Sequence, residues 1–250
     1  NFTISIFDHK IFFEIVCEVK LFSKFKIFFR TKGKDTMITR NYEDAPYVFM
    51  PEGYGIKFEY NGPRLEKWEY GLSFSRGKGN DHLAGLDWMS KYSFNLGFYP
   101  IDSLSFSLRY SHEEEDQWLN WIEKNHLSTF KRKQRNTNAS LKWFKGNKHE
   151  LRVKTQLVAF TARNSQSYLA NFVGELTKTE DEIPSFTLSE LAFQVRYRYE
   201  ILPLAYFYLV YTKGGRIFEE DEEDDLGKIY KRPWNNPTGD TFTMKLRYKF

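Results

Sequence analysis

Charged residues recur at every second position in many stretches of this 250-residue chain, and that spacing bears on what they do. Lys57 and Glu59 alternate with apolar neighbours, as do Lys67 and Glu69, Arg152 and Lys154, Arg196, Arg198 and Glu200, and Lys245, Arg247 and Lys249, while Arg109 stands between Leu108 and Tyr110. Extended chain sends successive side chains to opposite faces, so each set shares one side of a strand and leaves the apolar set on the other. Together they make a net basic surface. Enclosed in a narrow space, it either draws small anions through or closes on itself through ion pairs with its fewer carboxylates. A lining charged only because it must stay wet is the plainer alternative.

Two acidic clusters offer a second chemistry. His112-Glu-Glu-Glu-Asp116 is one, and the run Glu219, Glu220, Asp221, Glu222, Glu223, Asp224 and Asp225 is the other. Crowded carboxylates suit hard cations such as calcium. Neither has the alternating ligands and glycine of an EF-hand loop, so a solvated charge run is the competing reading. Catalysis has thinner material in Asp81-His82, His112 and His126. A histidine base needs an orienting carboxylate, and neighbours on a strand point apart. No Gly-x-Ser-x-Gly elbow, His-Glu-x-x-His pattern or paired cysteine is present, so no residue is assigned a catalytic role. The single cysteine, Cys17, reads as a small apolar residue of a strand, and no metal or other cofactor is called for.

The elements that position these residues are strands. Thr241 to Phe250 alternates Phe242, Met244, Leu246, Tyr248 and Phe250 with Thr241, Thr243, Lys245, Arg247 and Lys249, which suits a tilted strand crossing a bilayer. The same alternation predicts about twelve strands, an even number, near 2–7, 11–20, 24–31, 47–60, 65–76, 90–99, 102–112, 130–144, 148–161, 188–200, 204–213 and 240–250. Short turns are predicted near 21–24, 61–64, 99–102, 145–148 and 201–203. Long polar connections, at 32–47, 77–90, 112–127, 162–188 and 213–240, alternate with them. Loops sorted by length onto two rims are the plan of an outer-membrane barrel.

Composition agrees with that plan. Aromatic residues make up 18% of the chain, the material of interfacial girdles. The mean hydropathy is −0.61 and no apolar run approaches twenty residues, which excludes spanning helices and leaves spanning strands open. The net charge of +4 is spread through the strands instead of gathered in an arm, so nucleic acid is not an expected partner. The opening at Asn1 suits a mature form after leader removal or a piece of a longer protein.

Phe186-Thr-Leu-Ser-Glu-Leu-Ala-Phe-Gln-Val-Arg-Tyr-Arg-Tyr-Glu200, Pro203-Leu204 and Tyr208-Leu-Val-Tyr-Thr-Lys-Gly-Gly215, with lesser support from His126-Leu-Ser-Thr-Phe130, carry a resemblance. They resemble the C-terminal barrel part of a bacterial family, domain of unknown function 5916. The resemblance implies a membrane barrel without the family's preceding domain, which is similar to carbohydrate-binding-module family nine, and transfers no site residue.

The expectation is thus an all-β chain whose residues 1–250 form one transmembrane, antiparallel up-and-down barrel in a Gram-negative outer membrane. Its lumen is expected to be lined by Lys57, Lys67, Arg109, Arg152, Lys154, Arg196, Arg198, Lys245 and Arg247. Passage of small polar or anionic solutes, saccharides among them, is the expected function. A non-conducting anchor that meets a protein partner through its long loops, with Tyr230 and Trp234 as contacts, is the alternative, and an outer-membrane hydrolase a lesser one. Expected partners are the bilayer, lipopolysaccharide and the barrel-assembly machinery, which would read Leu246, Tyr248 and Phe250.

Overall fold

The computed structural model describes residues 2–7, 10–19, 23–30, 33–36, 47–50, 53–78 and 86–248. Fifteen strands and one helix follow in chain order among them: β1 (Phe2–Phe7), β2 (Lys10–Val19), β3 (Ser23–Arg30), β4 (Gly33–Thr36), β5 (Tyr47–Met50), β6 (Gly53–Asn61), β7 (Trp68–Lys78), β8 (Trp88–Ile101), β9 (Leu104–Glu123), β10 (His126–Lys145), β11 (His149–Ala170), β12 (Leu176–Lys178), β13 (Phe186–Leu202), β14 (Ala205–Glu219), α1 (Leu226–Asn235) and β15 (Gly239–Arg247). The main sheet runs β1-β2-β3-β6-β7-β8-β9-β10-β11-β13-β14-β15, with β12 added beside β11 and β4–β5 as a separate hairpin. Its path holds twelve strands, each antiparallel to the next. The sheet is open, with β1 and β15 as its edges.

Register aligns like with like across the strands. Trp68, Phe98, Phe106, Leu141, Val153, Val195, Tyr211 and Phe242 are cross-strand partners in one continuous line. One residue along, on the opposite face, Glu69, Gly97, Ser107, Ser140, Lys154, Gln194, Thr212 and Thr241 form another. Paired residues on adjacent strands share a face, so the sheet has one apolar and one polar side. Cys17 of β2 pairs with Phe25 of β3, and Phe25 with Phe58 of β6. The apolar side is uncovered over much of its area: Leu246 and Met244 are each 63% exposed.

One rim carries short turns, at 62–67, 102–103, 146–148 and 203–204, close to their predicted places. The turn predicted near 21–24 lies largely outside the described residues. The opposite rim corrects the expected loops. β9, β10 and β11 run for 20, 20 and 22 residues, against 9 for β15, and β9 meets β10 through Lys124 and Asn125 alone. Most of the expected connections 112–127 and 162–188 is therefore strand. Charged and apolar residues share each face there, which ends the alternation, while the backbone ladder continues. The expected strand 47–60 is likewise two: β5 pairs with β4, and Val48 is buried against Leu119, Leu127 and Ala170 of the tall strands.

The expected loop 213–240 holds the end of β14 and α1. Asp225 caps α1, its Oδ1 accepting from the Gly227 backbone N–H at 2.7 Å. The helix buries Ile229 and Pro233 on the apolar side, above Leu157, Leu191 and Gly215, which share one register line. Gly215 is a packing requirement: a Cβ there would lie 3.1 Å from the Asn236 carbonyl and 3.2 Å from that of Pro233. Gly215→Val is expected to unseat α1, at a cost of about 1–3 kcal/mol for overpacking. Faster proteolysis within 220–238 and red-shifted Trp234 emission in the folded variant would report it; wild-type values would show that Gly215 seats nothing.

Candidate functional site

The strands of the polar face are ordered by layer. Across the middle of the sheet, one line runs Asn61, Gly71, Asn95, Arg109, Asn138, Gln156, Ala192, Gly214 and Gly239. Beside it runs the line of Glu69 to Thr241 described above. These two layers bound a cavity of about 940 Å³. Small residues interrupt the layers where it opens: Ala192, Gly214 and Gly239 place almost nothing on this face. Tyr99 folds back over Gly97, where a Cβ would meet its ring at 3.0 Å, and donates its hydroxyl to Glu69 at 3.0 Å. The remaining lining mixes amides and hydroxyls with Leu96, Leu108, Ala139 and Phe193, and Arg109, Lys154 and Lys213 are its cations.

Toward the short-turn rim the same face becomes basic. Lys142, Arg152 and Arg196 are successive partners in one layer, and Arg198 and Lys245 flank Tyr208 in the next. Its carboxylates are mostly matched: Glu59 by Lys57, Glu69 by Arg64 at 3.3 Å, Glu150 by Arg152 and by Arg198 at 3.0 Å, and Glu190 by Arg216 at 3.1 Å. Arg109, Lys142, Lys154, Arg196, Lys245 and Arg247 have no carboxylate partner among the described residues. The surplus on this face is cationic.

Eight of the nine expected lining residues therefore lie on this face; Lys67 does not. It sits exposed in the 62–67 turn, its carbonyl accepting from the Tyr99 backbone N–H at 2.8 Å, because β7 begins at Trp68 instead of residue 65. Lys249 and Phe250 lie outside the described residues, as do Asp81 and His82. Lys142 and the neutral residues Asn95, Asn138, Gln156, Gln194, Thr212 and Thr241 belong to the site and were missed. Their signal is the same alternation, which neutral side chains carry as well as charged ones.

The first acidic cluster is corrected from loop to strand. Glu113 and Glu115 point to the polar face of β9, buried with Arg132 of β10, while His112 and Glu114 lie on the opposite side and bond to each other at 3.1 Å. Arg132 contacts Glu113 directly and Glu115 at 3.0 Å, and Lys91 reaches Glu113 at 3.0 Å. Trp118, Phe130 and Phe160 enclose the group, with the Arg132 guanidinium 5.5 Å from the Trp118 ring centroid. Bulges made this illegible. Between Phe130 and Arg132 the pairing with β9 shifts by one residue, so the alternation slips and Trp118 joins the face of Glu113 and Glu115. Burial pushes the Glu115 carboxyl up to about 7, with Arg132 pulling it down and Glu113 adding to the rise.

The second acidic run wraps Arg232 and a basic patch. Arg232 meets Asp221 at 2.6 Å, Glu219 at 2.8 Å and Glu223 at 3.7 Å, and Asp224 bridges Arg163 and Lys133. The Arg232 hydrogen bond holds Asp221 below the usual carboxylate range; burial works upward on Asp224 and is outweighed by Arg163. Among the described residues no three His, Cys, Asp or Glu side chains converge as a metal would require. Tyr230 and Trp234 stack on α1 with centroids 6.1 Å apart, and His126 lies 3.8 Å from Asp181.

No protein-family model matches the chain, and no curated protein is similar to it. The segment that carries the family resemblance, Phe186 to Glu200, forms most of β13.

Glu115 and Arg132 make opposite predictions. An acid raised from 4.5 to about 7 on folding takes up protons in that interval, so its ionisation removes stability between those values. Glu115→Gln is expected to leave melting unchanged below pH 4.5 and to raise it by several degrees above pH 7. Arg132→Met strands two buried carboxylates and is expected to cost about 3–5 kcal/mol. Thermal melts of both variants across that range check the pair; a Glu115→Gln protein that melts lower at pH 8 would refute the buried-acid reading.

Proposed function

We propose that this chain is a bacterial outer-membrane β-barrel whose polar face lines a narrow, porin-like lumen that passes small polar and anionic solutes, saccharides among them. The sheet would close by pairing the β15 edge to β1, directly or through further strands. The observation that carries the reading is the set of six cations on the polar face without carboxylate partners, opposite a continuous and largely uncovered apolar face. A contiguous apolar surface of this extent is costly in water and is what a lipid-facing belt requires. Lipopolysaccharide would meet the outer rim, and the assembly machinery would read the last strand through Leu246, Tyr248 and Phe250. The resemblance to a barrel-bearing family supports the same architecture.

A second reading, a non-conducting anchor, is favoured by one observation. The Trp118–Phe130–Phe160 cluster and the Arg132 group fill the polar face at the long-connection rim, where a pore would need an open mouth. Planar-bilayer recordings across a salt gradient separate the two. The pore reading expects steady, anion-selective current, with selectivity falling when Arg109, Lys154 and Arg196 are changed together to Gln. Cation-selective current would overturn it, and silence from a folded, inserted protein would favour the anchor.

A further inference from the structure

The cavity has a composition that a passive aqueous passage does not need. Its cations Arg109 and Lys154 have no carboxylate, hydrogen-bond or ring partner among the described residues, although both lie on a wall rich in neutral acceptors. They come from strands separated only by β10, offset by two residues along the register, so Arg109 borders Asn138 and Lys154 borders Ser140. Around them the lining alternates amides with hydroxyls, each able to give and accept a hydrogen bond. The lower wall presents Tyr99, its ring close to Gly97, its hydroxyl held by Glu69 and the Arg64 guanidinium 5.2 Å from its ring centroid.

The geometry points to a binding site for an acidic sugar, a hydroxyl-rich ring bearing one carboxylate or phosphate, held within the lumen. This inference rests on the polar face being a lumen, and it adds selective retention to passage. The two cations would take the oxyanion, Arg109 through its planar fork of donors and Lys154 as a compact charge. The amides of Asn138, Gln156 and Gln194 would exchange hydrogen bonds with ring hydroxyls. The Tyr99 hydroxyl, held by Glu69, adds a polar group to the lower wall. Small residues at positions 192, 214 and 239 leave the space, and 940 Å³ falls within the range of small-molecule sites. An ion-only passage would be served by cations alone. A neutral-sugar passage would have no use for two unpaired cations among amides.

The test is calorimetric titration of the full chain, folded in detergent micelles, with glucuronate, glucose 6-phosphate, glucose and inorganic phosphate. Saturable binding of at least one acidic sugar is expected, at least about tenfold tighter than that of glucose and of inorganic phosphate. Glucuronate and glucose 6-phosphate tell whether carboxylate or phosphate is preferred. Arg109→Gln and Lys154→Gln should each weaken binding about tenfold, while Arg247→Gln, outside the cavity, should not. Absence of acidic-sugar binding, or equal binding of glucose, overturns the site, as does inorganic phosphate binding as tightly as glucose 6-phosphate. The wild-type comparison decides even if a variant fails to fold. Binding without bilayer current would leave this site standing and remove the pore; current without binding would do the reverse.

Discussion

The structure depends on a register that keeps parity across eight successive strands. From β7 to β15, the line from Trp68 to Phe242 pairs apolar residues with apolar ones, and the line from Glu69 to Thr241 beside it holds small and polar ones. A slip of one residue in a single pair would carry cations onto the apolar side and aromatics onto the polar side. Register is therefore enforced from both faces at once, and the cavity, the basic rim and the uncovered apolar belt all follow from it. Where layers contain glycine, space opens; where they contain Lys and Arg, charge accumulates toward the short turns.

The long-connection rim obeys a different rule. There β9, β10 and β11 outrun the apolar belt, and bulges between Thr129 and Lys131 and between Phe130 and Arg132 release the parity. That release lets Trp118 join Phe130 and Phe160 around the Arg132 guanidinium and the two carboxylates it holds. The helix α1 uses the other side of the same region, where Gly215 admits its backbone and Arg232 gathers three carboxylates. The tall strands thus carry a folded superstructure on the belt, in place of loose loops.

The belt was legible in the residues and the superstructure was not, for one physical reason. Where one face is apolar and the other polar, a period of two is written in the chain, so Trp68 to Phe74, Leu104 to Tyr110 and Phe242 to Arg247 announce their strands. Above the belt charged and apolar residues share each face, and Glu113, Glu115 and Arg132 read as loop charge although ladder bonding continues through them. Lys142 and the amides of the cavity were within reach, being the polar alternates of strands already recognised. Lys67 was misplaced by a strand start three residues too early. The seat of α1 left no trace beyond Gly215 and the Asp225 cap, since helices packed on a sheet are specified by the surface they meet.

In the proposed barrel the two faces of one sheet would meet lipid and water respectively. Single cysteines at 241 to 247, in a Cys17→Ser background reconstituted into lipid vesicles and spin-labelled, test it most directly. The account predicts that labels at 242, 244 and 246 are relaxed by oxygen, which partitions into lipid, and those at 241, 243, 245 and 247 by a water-soluble nickel chelate. Equal accessibility along the strand, or water contact at 244 and 246, would contradict it.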